Sequence, residues 1–205
     1  QKAHVAALAD ADFRYQFRLN EWEEELVHAD PGFRASSPTA RMDTFFDEAA
    51  HLYLTEYNAE TPAAIAYNDA LTEVFYALPV MREFEKAYDV RPLPGRHHML
   101  HALLDSYRQW GGIEKPRIAI LDWHEVPTYS EFVLFQNYFS QQGYECVIAD
   151  PRDVTYQNGK LYAAGAPVHI IYKRVLISEL IERGGLDHPV VRAVRDRAVC
   201  MVNPF

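Results

Sequence analysis

Apolar and polar positions follow different periods in the two parts of the chain. In the first part, apolar residues recur at helical spacing and predict helices over 7–27, over a segment capped by Asn68 or Asp69 and ending at Leu78, over 80–88 and over 94–110. In the second part, short apolar runs alternate with helical segments. Strands are predicted at 117–123, 145–149, 168–173 and 198–202, and helices at 128–142, 176–183 and 189–197. This alternation is typical of an α/β layer with a mostly parallel sheet.

Glycine and proline mark where several of these elements end. Pro79 interrupts a helical pattern, and Gly111-Gly112 follows the predicted helix over 94–110. Asn158-Gly159 between two short strand-like runs predicts a two-residue β-hairpin. Because the period changes after Gly112, we divide the chain into residues 1–112, a helical region with a β-hairpin, and residues 113–205, an α/β domain. The fold class is α/β, or α+β over the whole chain.

The hairpin of the first region is predicted from two strand-like runs, 39–46 and 52–57, joined by a short polar connection. One antiparallel register places Arg41 opposite Asn58 and Asp43 opposite Glu56. The same register places Phe45 opposite Leu54.

Four polar side chains of this hairpin share one strand face, because residues two apart in a strand point the same way. We call Arg41, Asp43, Glu56 and Asn58 the polar quartet. Like charges directly opposite each other repel, and a divalent cation would neutralise Asp43 and Glu56. Magnesium prefers oxygen ligands, and an arginine is well shaped to clamp a phosphoryl group. The alternative is an exposed hairpin whose charges form solvated ion pairs of little energetic value.

The motifs R-x-D at 41–43 and E-Y-N-A-E-T-P at 56–62 resemble the metal- and phosphate-binding hairpin of ATP-grasp ligases. The second motif is similar to the segment found in glutathionylspermidine synthetases and related circularly permuted ATP-grasp proteins. Weaker likeness continues through Trp110-Gly111-Gly112, 120–123, 172–174 and the closing Val202-Asn203-Pro204-Phe205, so that it covers most of the chain from about residue 38.

The resemblance implies a function for each member of the polar quartet. Asp43, Glu56 and Asn58 would hold Mg²⁺, and Arg41 would act as the catalytic residue that steadies the transferring phosphoryl group of ATP. The implied reaction joins a small-molecule or peptide carboxylate to an amine through an acyl phosphate. Residues 113–205 would then be the α/β domain that precedes the grasp domain, here called pre-ATP-grasp-like.

Lys173 and Arg174 lie at the carboxyl end of the predicted strand over 168–173, at the edge where open α/β sheets bind ligands. The two cations are candidates for binding a substrate carboxylate. The alternative, a strand-to-helix junction with solvated charges, stays open at this point.

Other features exclude several classes of function. The formal charge of −9 disfavours nucleic acid and anionic membranes as partners. No signal peptide or spanning apolar stretch is seen, and Cys146 and Cys200 read as buried thiols of a reducing compartment, so we expect a cytoplasmic protein. Glycine-rich dinucleotide and P-loop motifs are missing. His97 and His101 have helical metal-ligand spacing but lack further ligands, so we interpret them as structural.

Both ends of the sequence suggest a trimmed piece of a longer protein, because it opens without Met and stops after a strand-like run. No nucleotide clamp is recognisable within it. We therefore expect an amino-terminal fragment of the ligase that is inactive alone. The competing hypothesis is a non-catalytic interaction module that keeps the permuted fold and works in a complex.

Overall fold

The computed structural model describes residues 2–205, and a parallel sheet of four strands lies at its centre. Its strands are β3 (Ile118–Leu121), β4 (Cys146–Ala149), β8 (Ile170–Lys173) and β9 (Cys200–Val202), in the spatial order β4-β3-β8-β9. The strands are almost entirely apolar, as expected for a parallel sheet that is covered on both faces. The predicted α/β class and mostly parallel sheet are confirmed, with each strand somewhat shorter than its apolar run.

Side chains of the central sheet alternate between two apolar layers. On one face, Ile118 and Ile120 pack with Phe132, Phe135 and Phe139. The helices of this layer are α4 (Ile65–Ala77), α6 (Gly95–Trp110) and α7 (Tyr129–Gln141). On the other face lie α8 (Ile177–Gly184) and α9 (Pro189–Arg195). Because α6 precedes residue 112 and still covers the sheet, the two predicted parts of the chain share one core.

A small antiparallel sheet joins the second layer. It consists of β5 (Thr155–Gln157), β6 (Lys160–Ala163) and β7 (Ala166–Pro167). Asn158 and Gly159 between β5 and β6 both have positive φ, 51° and 68°. This backbone is the one that a two-residue primed turn needs, so the predicted hairpin is confirmed.

The hairpin of the first region consists of β1 (Arg41–Phe46) and β2 (Leu52–Asn58) and forms a separate two-stranded sheet. The predicted pairs Arg41 with Asn58 and Asp43 with Glu56 are confirmed. The predicted pair of Phe45 with Leu54 is wrong, because a bulge follows Asp43 and shifts the register. Phe45 instead lies opposite Tyr53, and their rings stack with centroids 5.2 Å apart.

The amino-terminal region differs from the single helix predicted over 7–27. It forms three short helices, α1 (Lys2–Ala9), α2 (Ala11–Tyr15) and α3 (Glu21–Leu26). Asp10 caps α2 by accepting hydrogen bonds from the N–H groups of Asp12 and Phe13. The Asn20 N–H donates to the Glu23 carboxylate at 2.7 Å, as at a capped helix start. These local caps outweigh the continuous helical pattern.

The predicted cap of the helix before Pro79, Asn68 or Asp69, is wrong. Helix α4 begins at Ile65, and Asp69 lies inside it. The Asp69 carboxylate instead caps α6, because it accepts hydrogen bonds from the N–H groups of Gly95 and Arg96 at 2.7 and 2.9 Å. Pro79 separates two helices and Gly111 ends α6, both as predicted. The second of the two helices, α5 (Pro79–Phe84), is shorter than the predicted helix over 80–88.

No helix within residues 2–205 is both long enough and apolar enough to cross a bilayer.

Candidate functional site

The polar quartet is assembled on one face of the β1–β2 hairpin. Arg41 binds Asp43 through two hydrogen bonds, Nε to Oδ1 at 2.7 Å and Nη2 to Oδ2 at 3.0 Å. With the Asn58 amide oxygen turned toward Arg41, Arg41 Nη2 donates to it at 3.2 Å and Asn58 Nδ2 donates to Glu56 Oε1 at 3.1 Å. The four side chains therefore form one connected chain of hydrogen bonds, as the register predicted.

Arg41 offsets one of the two formal negative charges of the polar quartet, that of Asp43. Its hydrogen bond lowers the pKa of Asp43, and the same bond raises the pKa of Arg41 itself. The Arg41 and Asp43 side chains are each 39% exposed. Because the pair is open to solvent, it adds little to stability, and its groups are accessible to a ligand.

Three oxygen-bearing side chains of the polar quartet suit a hard cation. Asp43 and Glu56 are direct cross-strand partners, and Asn58 follows Glu56 by two residues on the same face. Two carboxylates and an amide oxygen match the oxygen-only ligand set that Mg²⁺ takes together with water and phosphate oxygens. Within residues 2–205, no group of three or more His, Cys, Asp or Glu side chains is arranged to hold a metal. Magnesium prefers six ligands, so an ion held by these three side chains would take its remaining ligands from substrate or solvent.

Asn203 ties both legs of the hairpin to the end of β9. Its side-chain amide donates to the carbonyl oxygens of Thr39 and Glu60 at 3.2 and 2.6 Å. Its Oδ1 accepts hydrogen bonds from the Thr39 N–H and hydroxyl at 3.2 and 3.0 Å. Since Thr39 precedes β1 and Glu60 follows β2, one buried amide fixes the base of the hairpin against the parallel sheet.

Glu60 forms a second anchor, to Lys173 at the carboxyl end of β8. Glu60 Oε1 accepts hydrogen bonds from Lys173 Nζ at 2.8 Å and from the Ile177 N–H at 2.7 Å. The Lys173 side chain is completely buried. Burial lowers the pKa of Lys173, while the Glu60 charge opposes that shift. Lys173 was predicted to bind a substrate carboxylate, and the carboxylate that it binds in this structure is Glu60.

Arg174, the other predicted substrate-binding residue, is also held by partners within the chain. Its guanidinium donates to the Pro62 carbonyl oxygen, to the Tyr172 hydroxyl at 3.2 Å and to Glu131 Oε2 at 3.4 Å. Glu131 Oε1 in turn accepts a hydrogen bond from the Ala66 N–H in the first turn of α4. Both cations thus lie behind the segment that follows β2 and hold it in place.

Glu60, Glu131 and Asn203 were not predicted as part of the site. Glu60 and Asn203 lay inside the segments used for the family resemblance, but no spacing rule connects them. Glu131 sits on the predicted helix over 128–142 among apolar residues, and its complete burial is the property that marks it. A buried carboxylate needs a partner, and here the partner is Arg174.

Two aspartates at neighbouring strand ends have pKa values that are shifted in opposite directions. Burial raises the pKa of Asp122, after β3, to about 6. Burial would also raise the pKa of Asp150, after β4, but hydrogen bonds from Arg152 and from the backbone of Arg152 and His124 lower it to about 2. The carboxyl edge of the sheet therefore holds one carboxyl group that titrates near pH 6.

No protein-family model matches this chain, and no curated protein matches it in sequence.

Proposed function

We propose that this chain supplies the metal- and phosphate-binding hairpin of an ATP-dependent carboxylate–amine ligase of the circularly permuted ATP-grasp type. The observation that carries the proposal is the pairing of Arg41 with Asn58 and of Asp43 with Glu56. Two like charges face each other across a hairpin that gains no packing from them, an arrangement that suits a cation-dependent site better than a structural role.

The proposed reaction has two steps. A substrate carboxylate oxygen attacks the γ-phosphorus of ATP, the bond to the β,γ-bridging oxygen breaks, and ADP leaves with an acyl phosphate remaining. An amine then attacks the acyl carbon, inorganic phosphate leaves, and loss of the amine proton gives the amide. Catalysis of the first step rests mainly on positioning and on stabilising phosphoryl charge.

The side chains of the polar quartet have separate tasks in this proposal. Arg41 presents two N–H groups that can pass from the Asp43 carboxylate to phosphoryl oxygens, which have a similar geometry. Asp43, Glu56 and Asn58 would hold Mg²⁺, whose charge screens the phosphate oxygens of ATP. Glu60 and Asn203 keep the hairpin at a fixed position relative to the sheet.

The proposal also includes the two substrates and the cellular compartment. We propose an acid of small-molecule or peptide type and an amine as the second substrate, and a cytoplasmic location. The buried free thiols of Cys146 and Cys200 support a reducing compartment. Burial raises the pKa of each to about 12, so both thiols stay protonated and unreactive.

A second candidate function is a non-catalytic interaction module, and the exposed apolar surface of the hairpin favours it. Phe45, Phe46, Leu52 and Leu54 are each between 56% and 67% exposed. Such a surface is typical of a region that is covered by another protein surface. This candidate leaves the polar quartet without a task.

Substitution of Arg41 in the full-length protein separates the two candidates. We expect Arg41→Ala to lower ATP-dependent amide formation by roughly a thousandfold or more, and to change the free energy of unfolding by at most about 1 kcal/mol. ADP release is measured with carboxylate–amine pairs, beginning with glutathione and spermidine, and stability by urea unfolding. Glu56→Gln should also lower turnover, while relieving repulsion with Asp43 and stabilising the free protein slightly.

Arg91→Ala is the matched control, since Arg91 forms an exposed ion pair with Asp89, also two residues apart. Its turnover should equal that of the unsubstituted protein. Equal turnover of Arg41→Ala, Glu56→Gln and Arg91→Ala would remove the ligase proposal and leave the interaction module.

A further inference from the structure

The amino edge of the parallel sheet carries a large cavity that the proposed ligase chemistry does not use. It has a volume of about 790 Å³ and is lined by residues that precede β3, β4, β8 and β9 and by the turn between β5 and β6. The polar quartet is anchored at the opposite, carboxyl edge. Since a strand of four residues spans about 13 Å, the two regions are separated by the length of the sheet.

The lining of this cavity is positively charged in a chain that carries a formal charge of −9. It includes the cations Lys115, Arg117, Lys160 and Arg197, against the carboxylates Glu114 and Glu145. A concave surface with an excess of one charge attracts ligands of the opposite charge. The cavity therefore favours an anion.

Arg117 forms a fixed part of the cavity wall. Its Nε donates to Glu145 Oε1 at 2.5 Å, and its Nη1 donates to the carbonyl oxygens of Ala163 and Ala166 at 2.8 and 3.0 Å. These bonds join the loops before β3 and β4 to the β6–β7 turn. Glu145 is thereby neutralised, and Arg197 is paired with Asp30 at 3.3 Å. Lys115 and Lys160 are therefore the main source of free positive charge, against the single carboxylate of Glu114.

Lys115 and Lys160 form no salt bridge with any described residue, whereas Lys86 and Lys173 each do. Lys115 Nζ lies 5.5 Å from the ring centroid of Tyr144. It also lies 3.5 Å from the position that a Cβ on Gly143 would take. The ammonium group of Lys115 thus lies next to Gly143 at the cavity wall, where its N–H groups can donate hydrogen bonds to a ligand.

His169 contributes a neutral donor. Its Nδ1 lies 3.0 Å from the backbone nitrogen of Arg117, whose N–H donates to it. A ring nitrogen that accepts a hydrogen bond carries no proton, so the neutral ring carries its proton on Nε2. Nε2 lies on the side of the ring opposite Nδ1, and His169 is one of the residues that line the cavity. The Nε2–H group is therefore free of the Arg117 contact.

We propose that this cavity is a second ligand site that binds a small organic anion through phosphate or carboxylate groups. Lys115, Lys160 and the His169 Nε2–H receive the charged groups. Apolar wall residues such as Pro116, Pro167 and Val168 contact the body of the ligand. The volume lies in the range of small-molecule sites, and the mixture of apolar walls with a few convergent donors is typical of them.

Titration with two probes, inorganic pyrophosphate and citrate, tests the site and distinguishes phosphate from carboxylate recognition. Chemical shifts of the protein are followed by ¹⁵N NMR, with sodium chloride used to match ionic strength. We expect saturable shifts for His169, Gly143 and Lys115 with at least one probe. Lys115→Glu combined with Lys160→Glu should weaken that binding at least tenfold.

The double variant Lys2→Glu with Lys86→Glu is the matched control, because it changes the net charge equally at exposed positions outside the cavity. Its affinity should stay within twofold of the unsubstituted chain. His169→Asn keeps an acceptor for the Arg117 N–H, but its shorter side chain places no donor at the position of Nε2, so it should weaken binding severalfold. Shifts that follow ionic strength alone, or equal losses in the two double variants, would overturn the proposal.

Discussion

The β1–β2 hairpin and the parallel sheet are held in place by different forces. Every residue of β3, β8 and β9 is buried, whereas no residue of the hairpin strands is. The sheet is positioned by apolar burial from both faces. The hairpin is positioned by polar anchors at its base, chiefly Glu60 and Asn203.

Because of this difference, the residues that stabilise the fold are largely not the residues proposed to take part in the chemistry. An isolated two-stranded hairpin is marginal in water, so the polar quartet depends on anchors that lie outside the hairpin. Residues that matter for the proposed chemistry should therefore add little to global stability. Residues that hold the sheet or the anchors should add much.

Truncation of one aromatic residue in each region gives the largest expected contrast. Phe135 is fully buried and lies edge-on to Tyr172, with ring centroids 5.6 Å apart. Phe135→Ala should lower the free energy of unfolding by about 4 kcal/mol. Phe45 is 56% exposed, and Phe45→Ala should lower it by less than about 1 kcal/mol. Urea unfolding of both variants measures the contrast, and similar losses would contradict it.

Removal of the Glu60 anchor should have a slightly smaller effect. Glu60→Ala leaves the buried Lys173 ammonium without its partner, and we expect a loss of about 3 kcal/mol. Glu83→Ala breaks the exposed pair with Lys86 and should cost at most about 1 kcal/mol. Urea unfolding, with hydrogen exchange of the hairpin amides, checks both. Equal effects of the two changes would show that the hairpin does not need this anchor.

The two regions should also differ in how their stability depends on pH, through Asp122 in the sheet and Asp43 in the hairpin. The pKa of Asp122 in the sheet is raised to about 6 by burial, so its ionised form destabilises the fold above pH 6. That penalty disappears as pH falls from about 6 toward 4, since the folded state then binds the extra proton. Asp122→Asn should therefore stabilise the chain by about 3 kcal/mol near pH 7 and by much less near pH 4. Urea unfolding at several pH values measures the difference.

Asp43 in the hairpin should behave in the opposite sense. Its hydrogen bond from Arg41 lowers its pKa, so its stabilising contribution is present above the unfolded pKa and is lost as pH falls through the folded value. Asp43→Asn should therefore slightly destabilise the chain at neutral pH. A stabilising effect of Asp43→Asn at pH 7 would contradict this description of the hairpin.

The central sheet and its helices followed from the sequence because their apolar runs have the right length and period. The pairing at the base of the hairpin, Arg41 with Asn58 and Asp43 with Glu56, also followed, since strand alternation and connection length leave few registers. The bulge after Asp43 did not follow, because one extra residue at Thr55 leaves no mark in an apolar–polar pattern. The break of the first helical region carried a usable signal in Asn20 and Glu23, which have the spacing of a helix cap.

The site was predictable only where its members are close in sequence. The polar quartet lies within two neighbouring strands, so local alternation was sufficient to assemble it. Glu60 and Lys173 are separated by 113 positions and Thr39 and Asn203 by 164, and only the folded chain brings them together. For Lys173, sequence position indicated carboxylate binding but could not reveal that a carboxylate of the same chain lies there.

The bulge in the hairpin also disfavours a shift in the register of β1 against β2. In a regular ribbon, a shift of one residue moves every side chain to the opposite face. Here such a shift would also displace the extra residue and part the stacked rings of Phe45 and Tyr53. The bulge and the ring stack therefore fix the register in which the four polar side chains meet their partners.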